Sequence, residues 1–226
     1  IVYFALISTK KAEQNKVWVG LSKETAHQLG TPISSLMAWM DLLESSGVDP
    51  SLLSDMNKDV NRLSIIAERF SKIGSKPEME LIYVNEVLEN ATEYMRRRVS
   101  DKVLITTHLP SDAEGAMVCL SLFEWVIENL CKNAVDAMNG EGRIDVYMTS
   151  EKQQIYIDIK DTGKGIARKN FKTVFNPGYT TKKRGWGLGL TLAKRIIEDY
   201  HAGRIYVKDS EVGKGTTFRI ELKRVV

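Results

Sequence analysis

Apolar residues between positions 10 and 46 recur at three- and four-residue intervals. Trp18, Leu29, Ile33, Leu36, Met40 and Leu43 all fall on one stripe when plotted at about 100° per residue. That spacing predicts a single long amphipathic helix. Gly47, Val48, Asp49 and Pro50 read as a turn. A second helix follows over 51–74, with Leu53, Met56, Val60, Leu63, Ala67 and Phe70 as its stripe. Two helices with narrow apolar seams make an antiparallel hairpin that buries little alone. A four-helix bundle formed by two chains is the natural completion.

After a linker at Gly74, Ser75, Lys76 and Pro77 the period changes. Short strands are predicted at 81–84, 102–108 and 116–119, with helices at 85–98 and 120–138. Alternating runs at 142–150 and 153–160 place Ile155, Ile157 and Ile159 on one inward face. A loop-rich stretch covers 161–186, a helix 187–201, and two closing strands lie near 204–208 and 215–222. The expected fold is α+β: an N-terminal helical hairpin, then an α/β sandwich with one mixed sheet and helices on one face. The corresponding segments are 1–14, 15–75 and 80–226.

Composition narrows the function classes. The chain has 226 residues and a net charge of +3, with no dense basic run, so nucleic acid is not an expected partner. Cys119 and Cys131 lie in apolar surroundings without metal-ligand spacing, and read as buried free thiols. Residues 1–7 (IVYFALI) are wholly apolar and precede Lys10 and Lys11. A spanning helix needs roughly 20 apolar residues. This stretch is too short to span by itself, and reads either as the cytoplasmic end of a truncated membrane helix or as a hydrophobic helix start.

Chemistry concentrates in four segments: KETAHQLGTPISS (23–35), ENLCKNAVDAM (128–138), DTGKGI (161–166) and GWGLGL (185–190). His27 falls about 160° from Leu29, opposite the apolar stripe. Its imidazole therefore faces solvent, with Glu24 and Thr31 beside it on the same face. Pro32 removes the hydrogen bond that would reach the Gln28 carbonyl, a local helix defect next to an exposed histidine.

On the 120–138 helix, Asn129, Asn133 and Asp136 cluster along one edge, within about 60°. Amides one turn apart suit hydrated Mg²⁺, which takes oxygen ligands and keeps waters and phosphate oxygens. Asp161 offers a carboxylate able to accept from an adenine amino group, while Gly163 and Gly165 let the backbone approach a flat ligand. Gly185, Gly187 and Gly189, with Leu188 among them, open a helix whose first N–H groups attract phosphate. The glycine spacing is neither a Rossmann fingerprint nor a P-loop. The intervening stretch reads as a lid over phosphates, with Thr180, Thr181, Lys182 and Lys183 supplying hydroxyls and charge, and Phe171 and Phe175 at its base.

KETAHQLGTPISS is similar to the phosphoacceptor box of dimeric sensor histidine kinases, and the three later segments, together with the stretch FKTVFNPGYTTKKRGWG between the last two, resemble the N, G1, F and G2 boxes of their ATP-binding domain. GKGTTFRIEL (213–222) resembles the closing strand, where Thr216 or Thr217 would bond near adenine. The resemblance covers about residues 15–224. It implies His27 as phosphoacceptor, Asn129 and Asn133 as Mg²⁺ ligands, and ATP as cofactor. It also implies a homodimer, a response-regulator receiver domain as partner, and attachment to an inner membrane through a missing N-terminal segment. Thr31, four residues after the histidine, stands where the family supports phosphatase activity toward the regulator. One departure is informative. Most members carry an acid directly after the histidine; here Gln28 can hydrogen-bond but cannot take a proton, and Glu24 is the candidate substitute.

ATPases of the same fold place a Glu four residues before the Mg²⁺-binding Asn. Asn129 occupies that place here, which disfavours hydrolysis. The alternatives are an ATP-binding dimeric module without kinase activity and a hydrolase.

Overall fold

The computed structural model describes residues 2–73, 75, 77–182 and 187–225; the side chains of residues 2–18 and 21 also fall outside the description. The chain divides after Pro77 into two compact units.

The N-terminal unit is a helical hairpin of α1 (Val2–Ser45) and α2 (Pro50–Ile73). Gly47 turns the chain at φ +79°, and Asp49 Oδ1 accepts the Ser51 N–H at 2.8 Å. Pro50 opens α2, where a missing N–H costs nothing. Ile33, Met40, Val60 and Ala67 form the buried seam, with Leu29 packed against it. Each lies on a predicted stripe. Leu36, Leu43, Met56 and Leu63, on the same stripes, stay exposed, because one hairpin covers only half of a two-sided apolar surface. Trp18 lies outside the described side chains.

The C-terminal unit runs β1 (Glu80–Tyr83), α3 (Val84–Arg96), β2 (Val103–His108), β3 (Gly115–Val118), α4 (Leu120–Ala137), β4 (Gly142–Glu151) and β5 (Gln154–Asp161). Two 3₁₀ turns follow, at Arg168–Asn170 and Thr173–Phe175. Then come α5 (Gly189–Arg195), a π-helical turn over Ile196–Tyr200, β6 (Arg204–Glu211) and β7 (Gly215–Lys223). The main sheet is mixed, in the order β2-β4-β5-β7-β6, with only β2 and β4 parallel.

The predicted single sheet needs one amendment. β1 and β3 pair with each other in a separate two-stranded ladder, which local patterning along a strand cannot reveal.

Alternation organises the core. Ile144, Val146 and Met148 on β4, Ile155, Ile157 and Ile159 on β5, and Phe218, Ile220 and Leu222 on β7 are buried beneath the helices. Burying one such isoleucine is worth about 1.5–3 kcal/mol. α4 contributes Leu122, Phe123, Val126, Ile127 and Leu130 from its apolar face. That burial fixes the helix rotation and leaves its Asn129–Asn133–Asp136 edge free. The opposite face of the sheet is polar. There Arg219 grips Asp158 with two bonds at 2.6 and 2.7 Å, and Lys208 adds a third at 2.6 Å. Among the described residues no helix is long and apolar enough to cross a membrane.

Candidate functional site

Two sets of candidate residues lie on the two units. On α1, His27, Glu24, Gln28 and Thr31 are all exposed, as the helical spacing predicts. The Thr31 hydroxyl donates to the His27 carbonyl at 3.4 Å, just before Pro32 interrupts the ladder. Gln28 Nε2 donates to Glu24 Oε1 at 2.7 Å. The residue directly after the histidine therefore engages the carboxylate one turn before it. His27 is open to an incoming electrophile.

The second set lines a cleft of about 440 Å³, a size suited to a small ligand. One wall is the polar edge of α4, where Asn129, Asn133 and Asp136 all reach the opening. The floor is the end of β5. Asp161 is only 3% exposed there. Its Oδ1 accepts the N–H of Gly163 at 2.8 Å and of Thr216 at 3.3 Å. Burial pushes this carboxyl above the usual range, and the two N–H groups offset only part of that rise. Ile166, Ala167, Val174 and Phe218 give the surroundings an apolar character. A buried directional acceptor among apolar walls suits a flat base carrying an amino group.

Gly165 has φ +72°, and a Cβ there would overlap the Glu211 carbonyl, so close backbone packing demands glycine. Gly189 serves differently. A Cβ on it would lie 2.6 Å from Asn129 Oδ1, so the start of α5 rests directly against the α4 amide.

The far side of the cleft comprises Thr180, Thr181, Lys182, Gly187, Leu188 and Gly189. The Gly178 N–H donates to the Gly187 carbonyl at 3.2 Å, closing the neck of this loop. Lys164 Nζ donates to Thr181 Oγ1 at 2.8 Å. Lys182 Nζ donates to Asn133 Oδ1 at 3.0 Å and to Asp136 Oδ2 at 2.5 Å. Phe175 is buried edge-on against Phe218, with ring centroids 6.1 Å apart, and anchors the loop's base. Phe171 is only partly buried.

Eleven of the sequence-derived cleft candidates thus converge on one cavity: Asn129, Asn133, Asp136, Asp161, Gly165, Thr180, Thr181, Lys182, Gly187, Leu188 and Gly189. Gly185 and Lys183 fall outside the described residues. Gly163 stands behind the wall, bonding Asp161 and packing on the Ala137 backbone. Thr217 does not line the cleft; Thr216 does. Strand alternation decides this, because Asp161 pairs with Thr216 across the β5–β7 ladder and Thr217 points to the other face. Lys132, Lys164, Asn170 and Tyr179 also line the cavity and were not singled out from the sequence. Lys132 was within reach: at about 100° per residue it lies about 60° from Asn129.

Residues 120–226 match the family described as histidine kinase-, DNA gyrase B-, and HSP90-like ATPase. That match lies within the C-terminal unit, from α4 to the end of the chain. Outside the matched range, similarity extends over the hairpin. Sporulation kinase A of Bacillus subtilis (strain 168) is 26% identical over 220 residues, covering 95% of this chain and 36% of that protein. The chain therefore spans about a third of that relative's length. The solved structure of full-length ShkA in complex with AMPPNP aligns with TM-score 0.71 and 18% identity, covering 92% of this chain and 46% of that one. Histidine kinase ThkA in complex with the response regulator protein TrrA aligns with TM-score 0.63 and 19% identity, covering 99% of this chain and 66% of that one. At these identities the structural matches establish the fold alone: a helical hairpin followed by an α/β sandwich with a mixed sheet.

The cleft fits the nucleotide that the family name implies. Asp161 presents an acceptor among apolar walls, and Lys132, Lys164 and Lys182 bring positive charge to the cavity lining. The fit to a divalent cation rests on Asn133 Oδ1 and Asp136 Oδ2, which already converge on one cationic atom. Among the described residues no cluster of three His, Cys, Asp or Glu could hold a metal by itself. A cation here would complete its shell with water and phosphate oxygens, as Mg²⁺ commonly does.

Proposed function

We propose that this chain is the catalytic core of a sensor histidine kinase. It phosphorylates His27 with ATP and passes the phosphoryl group to an aspartate of a response-regulator receiver domain. The observation that carries this reading is the pairing, in one chain, of a solvent-facing His27 with a cleft bordered by Asn129, Asn133 and Asp161. Phosphoryl transfer needs mainly positioning and charge neutralisation. ATP with Mg²⁺ supplies the activated phosphoryl group. Asp161 would select the adenine, the lysines lining the cleft would hold the phosphates, and Asn129 and Asn133 would contribute to the metal's shell. An imidazole nitrogen of His27 then attacks the γ-phosphorus as ADP leaves, and Glu24, held by Gln28, takes the ring proton.

The active species is a homodimer. Leu36, Trp39 and Leu43 on α1, with Leu52, Met56 and Leu63 on α2, give the isolated hairpin a large exposed apolar surface that a second copy would cover. Thr31 supports removal of phosphate from the regulator as well. No carboxylate stands four residues before Asn133, which disfavours simple ATP hydrolysis.

The deciding experiment is labelling with ATP radiolabelled at its γ-phosphate. Wild-type protein acquires acid-labile, alkali-stable phosphate. His27→Ala acquires none yet binds ADP as wild type does. ATP binding with no covalent label on the wild type would instead identify a nucleotide-binding module, and steady turnover without label a hydrolase.

A further inference from the structure

Asn133 Oδ1 and Asp136 Oδ2 come from neighbouring positions on α4 and point at one spot, since both accept from the same Lys182 ammonium, at 3.0 and 2.5 Å. Each is a hard oxygen, and one belongs to a carboxylate. That is a donor pair suited to Mg²⁺ or Mn²⁺ completed by water. A lysine ammonium is a compact point charge with similar preferences. Two cations cannot share that spot: they would stand only a few ångströms apart, and both would draw on the single charge of Asp136.

We infer that Lys182 and a divalent cation are alternative occupants of the Asn133–Asp136 oxygen pair. Lys182 is thereby a built-in competitor of the metal, and Asp136 belongs to the cation's shell. The inference rests on the nucleotide-site reading for its physiological setting but not for its chemistry, because the competition requires only the two oxygens and the ammonium. Release of Lys182 accompanies cation entry. The freed ammonium remains near the cleft, since the neck of its loop is closed by the Gly178–Gly187 bond and Thr181 beside it is held by Lys164. It is then placed to meet the anionic end of whatever ligand the metal accompanies.

The test is Mn²⁺ binding to the full chain without nucleotide, followed by electron paramagnetic resonance of the free ion. Lys182→Met is expected to bind Mn²⁺ about fivefold more tightly than wild type, the scale of one partly exposed ion pair removed from competition. Lys164→Met removes the same charge from the cleft but contacts Thr181 rather than the oxygen pair, and should shift the affinity by less than about twofold. Adding Asp136→Asn to Lys182→Met should abolish the gain. Lys182→Gln is the second variant should Lys182→Met melt early. Equal affinity in wild type and both Lys182 variants, including no detectable binding to any, overturns the inference. So does an equal gain in Lys164→Met, which would reduce the effect to general charge. ADP binding is measured on the same proteins without metal. Its absence beside the expected Mn²⁺ pattern would sink the nucleotide reading alone, whereas normal ADP binding with unchanged Mn²⁺ affinity would sink only the competition.

Discussion

Thr216 donates its backbone N–H to the Asp161 carboxylate across the β5–β7 ladder, at 3.3 Å, so the closing strand of the sheet orients the acid at the cleft floor. The same oxygen takes the Gly163 N–H, leaving the other for a ligand.

Asp161→Asn should separate stability from function. Burial raises the carboxyl's pKa in the fold above its unfolded value, so ionised Asp161 disfavours folding at neutral pH. The neutral amide removes that cost while still accepting both N–H bonds. The expected outcome is an unchanged or higher melting temperature at pH 7, with ADP affinity reduced about 10- to 100-fold by calorimetry. In the wild type, ADP binding should begin to weaken, as pH falls, above the ordinary carboxylate range.

Gly189 and Gly163 predict different failures. Gly189→Ala places a methyl 2.6 Å from Asn129 Oδ1, a side-chain atom at the cleft. ADP affinity should drop about tenfold or more, with a modest change in melting temperature. Gly163→Ala instead meets the Ala137 backbone at 2.8 Å. It should cost about 1–3 kcal/mol of stability in urea titration. Equal stability losses in both variants would contradict this division.

His201 links the N-terminus of α4 to the π-helical turn. Its Nε2 accepts the Cys119 N–H at 3.0 Å and its Nδ1 lies 2.7 Å from the Ile196 carbonyl, an arrangement that requires the neutral ring with its proton on Nδ1. Burial is the main cause of its lowered pKa. A histidine depressed in the fold contributes stability above its unfolded pKa of about 6.5 and loses it as pH falls toward the folded value. Urea midpoints should therefore fall from pH 7.5 to pH 5.5. In His201→Gln, less stable at pH 7.5, that pH dependence should shrink. An identical slope in the two proteins would refute the assignment.

Glu24 and Gln28 are bonded at 2.7 Å beside His27. Glu24→Ala should slow His27 labelling by about 10²-fold, the lower end for a positioned general base, with ADP affinity unchanged. Gln28→Glu in that background should recover part of the rate. Full labelling in Glu24→Ala would remove Glu24 from the chemistry.

Trp39, 62% exposed on α1, lies with Leu36 and Leu43 on the uncovered side of the hairpin. Trp39→Glu should shift the dimer toward monomer in sedimentation velocity, raising the dissociation constant about 100-fold or more, while isolated ADP binding persists.

The linear pattern carried most of the element boundaries and most of the cleft. Periods of 3.6 and 2 follow from where Cβ atoms point, so the stripe Ile33–Met40 and the alternation Ile155–Ile157–Ile159 announced the hairpin seam and the sheet interior. The exposure of His27 and the shared edge of Asn129, Asn133 and Asp136 followed from the same angular arithmetic. Pairing between distant strands did not. The separate β1–β3 ladder, and the choice of Thr216 over Thr217, depend on which residues meet after 30 or more positions of chain. Local periodicity holds no information about such register. Nor could spacing bring Lys182 to Asn133 and Asp136, or Gly189 to Asn129, because loops without periodicity are placed by what they pack against.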